Sequence, residues 1–145
     1  MNRLKRVTLA VTLLLFGSEA ALACRCAIPA ASADLSPYAA VFMGRVVESK
    51  RVGASERVKF RVARVWKGEA VAEVTLILQR ASDPRVISSC DIGFQKGEHY
   101  LVYARKWRDG QALTTHKCTR TRRVAQARQD FAVLGELAGE DRPKL

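Results

Sequence analysis

The sequence of 145 residues predicts a mainly β domain, a small closed or nearly closed barrel of five strands followed by one helix. Three observations carry this prediction. Short segments with β-branched content and period-two alternation recur along the chain. An Asp-Gly pair, Asp109-Gly110, sits where the last two segments need a tight hairpin. Only after the fifth segment does the apolar period become helical. A flat sandwich would need about seven strands.

The elements follow in order. Residues 24–37 are rich in Ala, Ser and Pro and read as an extended segment with at most a short helix. Val41 to Lys50 has the composition of a strand, with Gly44 as a bend or bulge. After a turn around Gly53, Val58, Phe60 and Val62 alternate with Lys59 and Arg61, a second strand running from Arg57 to Trp66. Its alternation slips near Arg64, which predicts a bulge, and Lys67-Gly68 ends it. Glu73 to Gln79 is the third strand, with Val74, Leu76 and Leu78 on one face. Arg80 to Gly97 is a long irregular connection around Cys90, and loops of that length are uncommon unless functional or tied down. His99 to Trp107 and Ala112 to Cys118 are the fourth and fifth strands. Val124, Ala127, Phe131 and Leu134 then recur at helical spacing, with Gly135 or Gly139 as the stop. The common five-stranded barrel of this kind is the oligomer-binding (OB) barrel.

Not all of the chain belongs to that domain. Asn2 to Arg6 is basic, residues 7–16 are apolar, and Ala21-Leu22-Ala23 has the small-x-small pattern of a signal-peptidase site. The predicted organisation is a signal peptide over 1–23, one domain over 24–139 and a polar tail over 140–145. The apolar run is too short to span a bilayer, which takes roughly 20 residues. The expected product is therefore an exported, monomeric chain of about 120 residues, periplasmic or extracellular. Ala21-Leu22-Ala23-Cys24 loosely resembles a lipobox, but Ala21 stands where a large aliphatic residue is usual. Acylating Cys24 would also leave an odd number of thiols.

Four cysteines in an oxidising compartment predict two disulfides. Cys24 and Cys26 point to opposite sides of an extended segment and are poorly placed to bond each other. Both connectivities that join this pair to Cys90 and Cys118 remain open. Zinc held by these thiols is disfavoured, because only one pair is close and its spacing is one residue.

These residues resemble a known family. A signal peptide ending before Cys24-Arg25-Cys26, with Pro29 shortly after, is similar to the N-terminal domain of the tissue inhibitors of metalloproteinases, a netrin-like group of OB barrels. Val41-Phe42-Met43-Gly44-Arg45-Val46-Val47, Val65-Trp66-Lys67-Gly68, Ser88-Ser89-Cys90 and Gly97-Glu98-His99-Tyr100-Leu101-Val102, leading to Cys118, extend the likeness over most of the mature chain. The resemblance implies the pairs Cys24–Cys90 and Cys26–Cys118. It also implies a function without catalysis. The α-amino nitrogen and carbonyl oxygen of Cys24 would chelate the zinc of a partner metalloprotease, with Arg25, Cys26, Ser88 and Ser89 completing the ridge. Such a zinc keeps one position open for the water it activates. The family residue between the two cysteines enters the protease's specificity pocket and is usually small or apolar. Arg25 would need an acidic pocket there, or inhibition does not proceed this way. The family's third disulfide in this domain and its second domain have no counterpart.

The remaining signals are weaker. His99 and His116 have no catalytic partner motif, so no enzyme and no cofactor is predicted. Trp66 and Trp107 fall at strand ends and read as rim packing. Lys117, Arg120, Arg122, Arg123 and Arg128 cluster after the fifth strand in a chain of net charge +11. They are either a solvated face or a patch for an anionic polysaccharide, the basis of an alternative reading as a non-inhibitory envelope or extracellular binding module. Nucleic acid is disfavoured by an aromatic content of 7%.

Overall fold

The computed structural model describes residues 26–137, apart from Pro84, Ile87 and Asp109. The signal peptide, Cys24, Arg25 and the polar tail lie outside the described residues. The elements are β1 (Ala40–Val52), β2 (Ser55–Lys67), β3 (Glu73–Gln79), β4 (His99–Lys106), β5 (Leu113–Thr114), β6 (Arg122–Arg123), a 3-10 turn (Val124–Gln126) and one helix, α1 (Arg128–Leu137). No helix among the described residues is long and apolar enough to cross a membrane.

The fold is mainly β, and its sheet closes on itself. Neighbours run β1-β2-β3-β5-β4-β6, and β1 also pairs with β4, which completes a ring of five strands. β3 and β5 meet in parallel through Leu76 and Leu113; the other pairings are antiparallel. Closure depends on β1 bending enough to serve both neighbours. Its register with β2 shifts between Met43 and Gly44, where Arg64 and Val62 are the successive partners and Ala63 is the extra residue. This is the bulge that the slipped alternation predicts. Gly44 is required there, because a Cβ would lie 2.8 Å from the Arg61 carbonyl oxygen.

Two apolar clusters flank the sheet. Inside the ring, Phe42, Val46, Val58, Phe60, Leu76, Leu78, Tyr100 and Val102 are buried. Phe60 makes edge-to-face contacts with Phe42 at 5.6 Å and with Phe94 at 5.2 Å. Outside it, Leu35, Tyr38, Val41, Leu101, Tyr103, Ala127 and Leu134 form a second cluster beneath α1. β4 is therefore covered on both faces. Tyr100, Val102 and Ala104 point into the ring, while Leu101 and Tyr103 point to the helix, which explains five consecutive buried residues. Trp66 packs against Phe131 at 5.8 Å in this outer cluster.

Several boundaries differ from the sequence reading. The fifth strand shrinks from the expected Ala112–Cys118 to Leu113–Thr114. Thr115 turns its hydroxyl to the Tyr103 carbonyl, and residues 116–119 close a turn, so side-chain bonds replace the ladder there. The two-residue β6, Arg122–Arg123, pairs with Tyr100 and Leu101 of β4 and has no sequence signal. The helical period begins as a 3-10 turn at Val124; of the two stops offered by the sequence, Gly135 lies within α1, which runs to Leu137, and Gly139 lies outside the described residues. At the β4–β5 hairpin, Trp107 accepts from the Gly110 amide at 3.0 Å and Arg108 adopts a φ of 49°.

Candidate functional site

Three segments distant in sequence converge at one end of the sheet. Cys26 is bonded to Cys118, across 92 residues and with Cα atoms 4.9 Å apart. The Lys117 amide donates to the Cys90 carbonyl at 3.3 Å, which sets the 88–91 turn beside that disulfide. The turn is built from its own side chains. Ser88 Oγ accepts from the Cys90 amide at 3.2 Å, and the Asp91 carboxylate accepts from the Ser88 amide at 3.3 Å. Arg80, almost buried, anchors it from below, with Glu56 at 2.6 Å, Asp91 at 3.5 Å and the Ile92 carbonyl at 2.7 Å. The structure therefore brings Cys26, Ser88 and Ser89 of the expected ridge together with the disulfide cysteines Cys90 and Cys118. Cys24 and Arg25, which the chelation mechanism needs most, lie outside the described residues, as does one end of the expected Cys24–Cys90 pair. No cysteine among the described residues is free.

The segment after Cys26 has a second anchor that sequence reasoning missed. Arg120 is 6% exposed, and each of its three guanidinium nitrogens donates a hydrogen bond. It forms a two-pronged pair with Asp130, at 2.5 Å and 3.0 Å, and donates to the Pro29 carbonyl at 2.5 Å. Tyr103 donates its hydroxyl to the same carboxylate at 2.9 Å. Beside this cluster, the Thr115, Thr119 and Thr121 hydroxyls bond one another at 2.8–2.9 Å and the Tyr103 carbonyl. Asp130, wholly buried on the helix, is thus compensated from three sides. Hydrogen bonding to Asp130 holds the Arg120 pKa above its ordinary value. Burial, reinforced by Asp130, pushes the Tyr103 phenol above its ordinary 10.0.

This arrangement corrects the expected polyanion patch. Arg120 is interior. Arg122 is half-buried and donates to the Arg120 carbonyl at 3.0 Å, and Arg123 donates to Gln95 at 2.7 Å. Of the five residues, Lys117 and Arg128 are exposed. A signal for the buried pair was present. Asp130 shares the stripe of Ala127, Phe131 and Leu134, and a carboxylate on a core-facing stripe calls for a buried cation.

The histidines lie apart. His99 is exposed at the start of β4. His116 accepts the Cys118 amide at Nδ1, at 3.2 Å, and burial together with nearby Arg105 lowers its pKa below 6.5. It borders a cavity of about 170 Å³, whose lining includes Leu78, Arg80, Cys90, Trp107 and Thr115. Among the described residues, no three His, Cys, Asp or Glu side chains gather where they could hold a metal ion. Compared with known proteins, the chain matches no family model, and no curated protein matches it significantly.

Proposed function

We propose that this chain is exported, cut before Cys24, and acts as an inhibitor of a zinc metalloendopeptidase. In this reading the closed ring of strands is an OB-type barrel of the netrin-like class, and a second disulfide, Cys24–Cys90, lies beside Cys26–Cys118. The observation that carries the proposal is the junction of the Cys26–Cys118 bridge with the Cys90–Lys117 backbone bond. It ties Cys26 to the segment that also carries the Ser88-Ser89 turn, which supports a ridge formed by these residues together with Cys24 and Arg25.

The physics of the mechanism is simple. The open position on a protease's catalytic zinc holds the water that attacks substrate. A free amine at Cys24, with its own carbonyl oxygen, can take that place. Its reference pKa near 7.7–8 leaves a usable neutral fraction, and metal binding releases the remaining proton. Fixing the segment beforehand, through the disulfide and through Arg120 on the Pro29 carbonyl, spares the ordering cost on binding. Arg25 would enter the specificity pocket, so the matching target presents an acidic group there.

The test is a variant secreted with one extra alanine before Cys24. It should fold as the parent does and lose at least 100-fold in inhibition across a panel of zinc metalloendopeptidases. Inhibition that survives the added residue rejects chelation by the amine.

A further inference from the structure

The outward face of the β1–β2 hairpin carries an arrangement that works against the stability of the sheet. Arg45 stands directly opposite Arg61 across the ladder, and Lys50 directly opposite Arg57. All four side chains are exposed, and none has a carboxylate within ion-pairing distance among the described residues. Directly opposed like charges destabilise an antiparallel pair, since their Cβ atoms are only about 4.5–5.5 Å apart. Between these two rows the same face follows the opposite rule. Lys59 faces Glu48 across the ladder and pairs with Glu73 of β3 at 3.5 Å. Glu73 is itself the β3 partner of Arg61, yet its carboxylate turns to Lys59. The sheet thus matches charge in one row and opposes like charges in the rows on either side.

We infer that this face is a binding surface for an acidic polysaccharide, one bearing sulfate or uronate groups along a linear chain. The inference is independent of the metalloprotease reading, which rests on the amino terminus at Cys24. Strand geometry spaces alternate outward residues by about 6.8 Å and neighbouring strands by about 4.8 Å, so the three guanidinium groups and the Lys50 ammonium spring from an extended, regularly spaced array of positions. Guanidinium groups bind planar or tetrahedral oxyanions in pairs, and a ligand's charge removes the repulsion that the free protein bears. The large exposed apolar side chains, Ile28, Val52, Val71 and Val86, lie off these rows, which disfavours a lipid surface. Single-stranded nucleic acid is disfavoured because the rows hold no aromatic side chain on which a base could stack.

The experiment measures binding of the mature protein to dextran sulfate, to polygalacturonate and to an oligothymidylate of equal charge, together with the melting temperature of the free protein. Wild type should bind at least one polysaccharide more tightly than the oligonucleotide, and binding should weaken as salt rises. Arg45→Glu should weaken that binding at least tenfold while leaving the free protein as stable as wild type or more so, because it now faces Arg61 on β2 and has His99, not a carboxylate, opposite it on β4. Arg57→Glu, opposite Lys50, should behave the same way and serves as the second variant if the first misfolds. Reversal of Lys117 and Arg128 should leave binding within twofold. Binding unchanged in both hairpin variants, equal loss in the Lys117/Arg128 variant, lower melting temperatures in both hairpin variants, or tighter binding to the oligonucleotide would each overturn the assignment.

Discussion

Arg120 shows how much a single side chain decides here. Deleting it would leave the carboxylate of Asp130 buried with its principal partner gone, and broken buried pairs of this type cost about 3–5 kcal/mol. Arg120→Ala should therefore lower stability by about that amount in denaturant unfolding. The double replacement Arg120→Met with Asp130→Leu should recover most of it, since neither charge is then stranded. Tyr103 gives a second residue-scale prediction, concerning pH. Its folded pKa is raised, chiefly by burial and then by Asp130, so above pH 10 the unfolded chain releases a proton that the folded protein keeps. The unfolded state binds fewer protons there, and stability falls as pH rises beyond 10. Tyr103→Phe should flatten this alkaline loss in melting temperatures measured from pH 8 to 11. An equally steep loss in the variant would show that the phenol is not its source.

At the scale of elements, legibility in the sequence follows what each segment packs against. β2 and β3 each have one face in the ring, and their alternation reads directly: Val58 and Phe60 in, Arg61 out. The bulge at Ala63 was readable because it interrupts that alternation. β5 was overextended because Thr115 has strand-like chemistry, while its hydroxyl serves a buried polar cluster that only the tertiary structure assembles. β6 was illegible because two arginines carry no apolar period, and β4 alone makes them a strand. The basic run from Lys117 to Arg128 misled for a related reason. Charge composition does not reveal which guanidinium faces inward, although Asp130 on the apolar stripe pointed to a buried cation.

For the whole molecule, the Cys26–Cys118 bridge spans most of the domain and closes the loop between its first and last portions. In the chain-entropy account such a loop contributes about 4–5 kcal/mol, close to the lower end of total stability for a small domain. The same bridge and the Arg120 contact to Pro29 fasten the segment from Cys26 to Pro29 at two points, and the Cys90–Lys117 bond sets the 88–91 turn beside it. The sequence carried the cysteines and their order, but the fastening depends on contacts between residues some ninety apart in the chain. The claim on which the functional account rests is that a free amine at Cys24 is held at this junction. N-terminal sequencing of the exported protein, combined with a non-reducing peptide map, tests it most directly. The account predicts a chain that starts at an unmodified Cys24, with one disulfide-linked peptide pair joining Cys24 to Cys90 and another joining Cys26 to Cys118. A different first residue, an acylated Cys24, or a reduced thiol at Cys24 or Cys90 would contradict it.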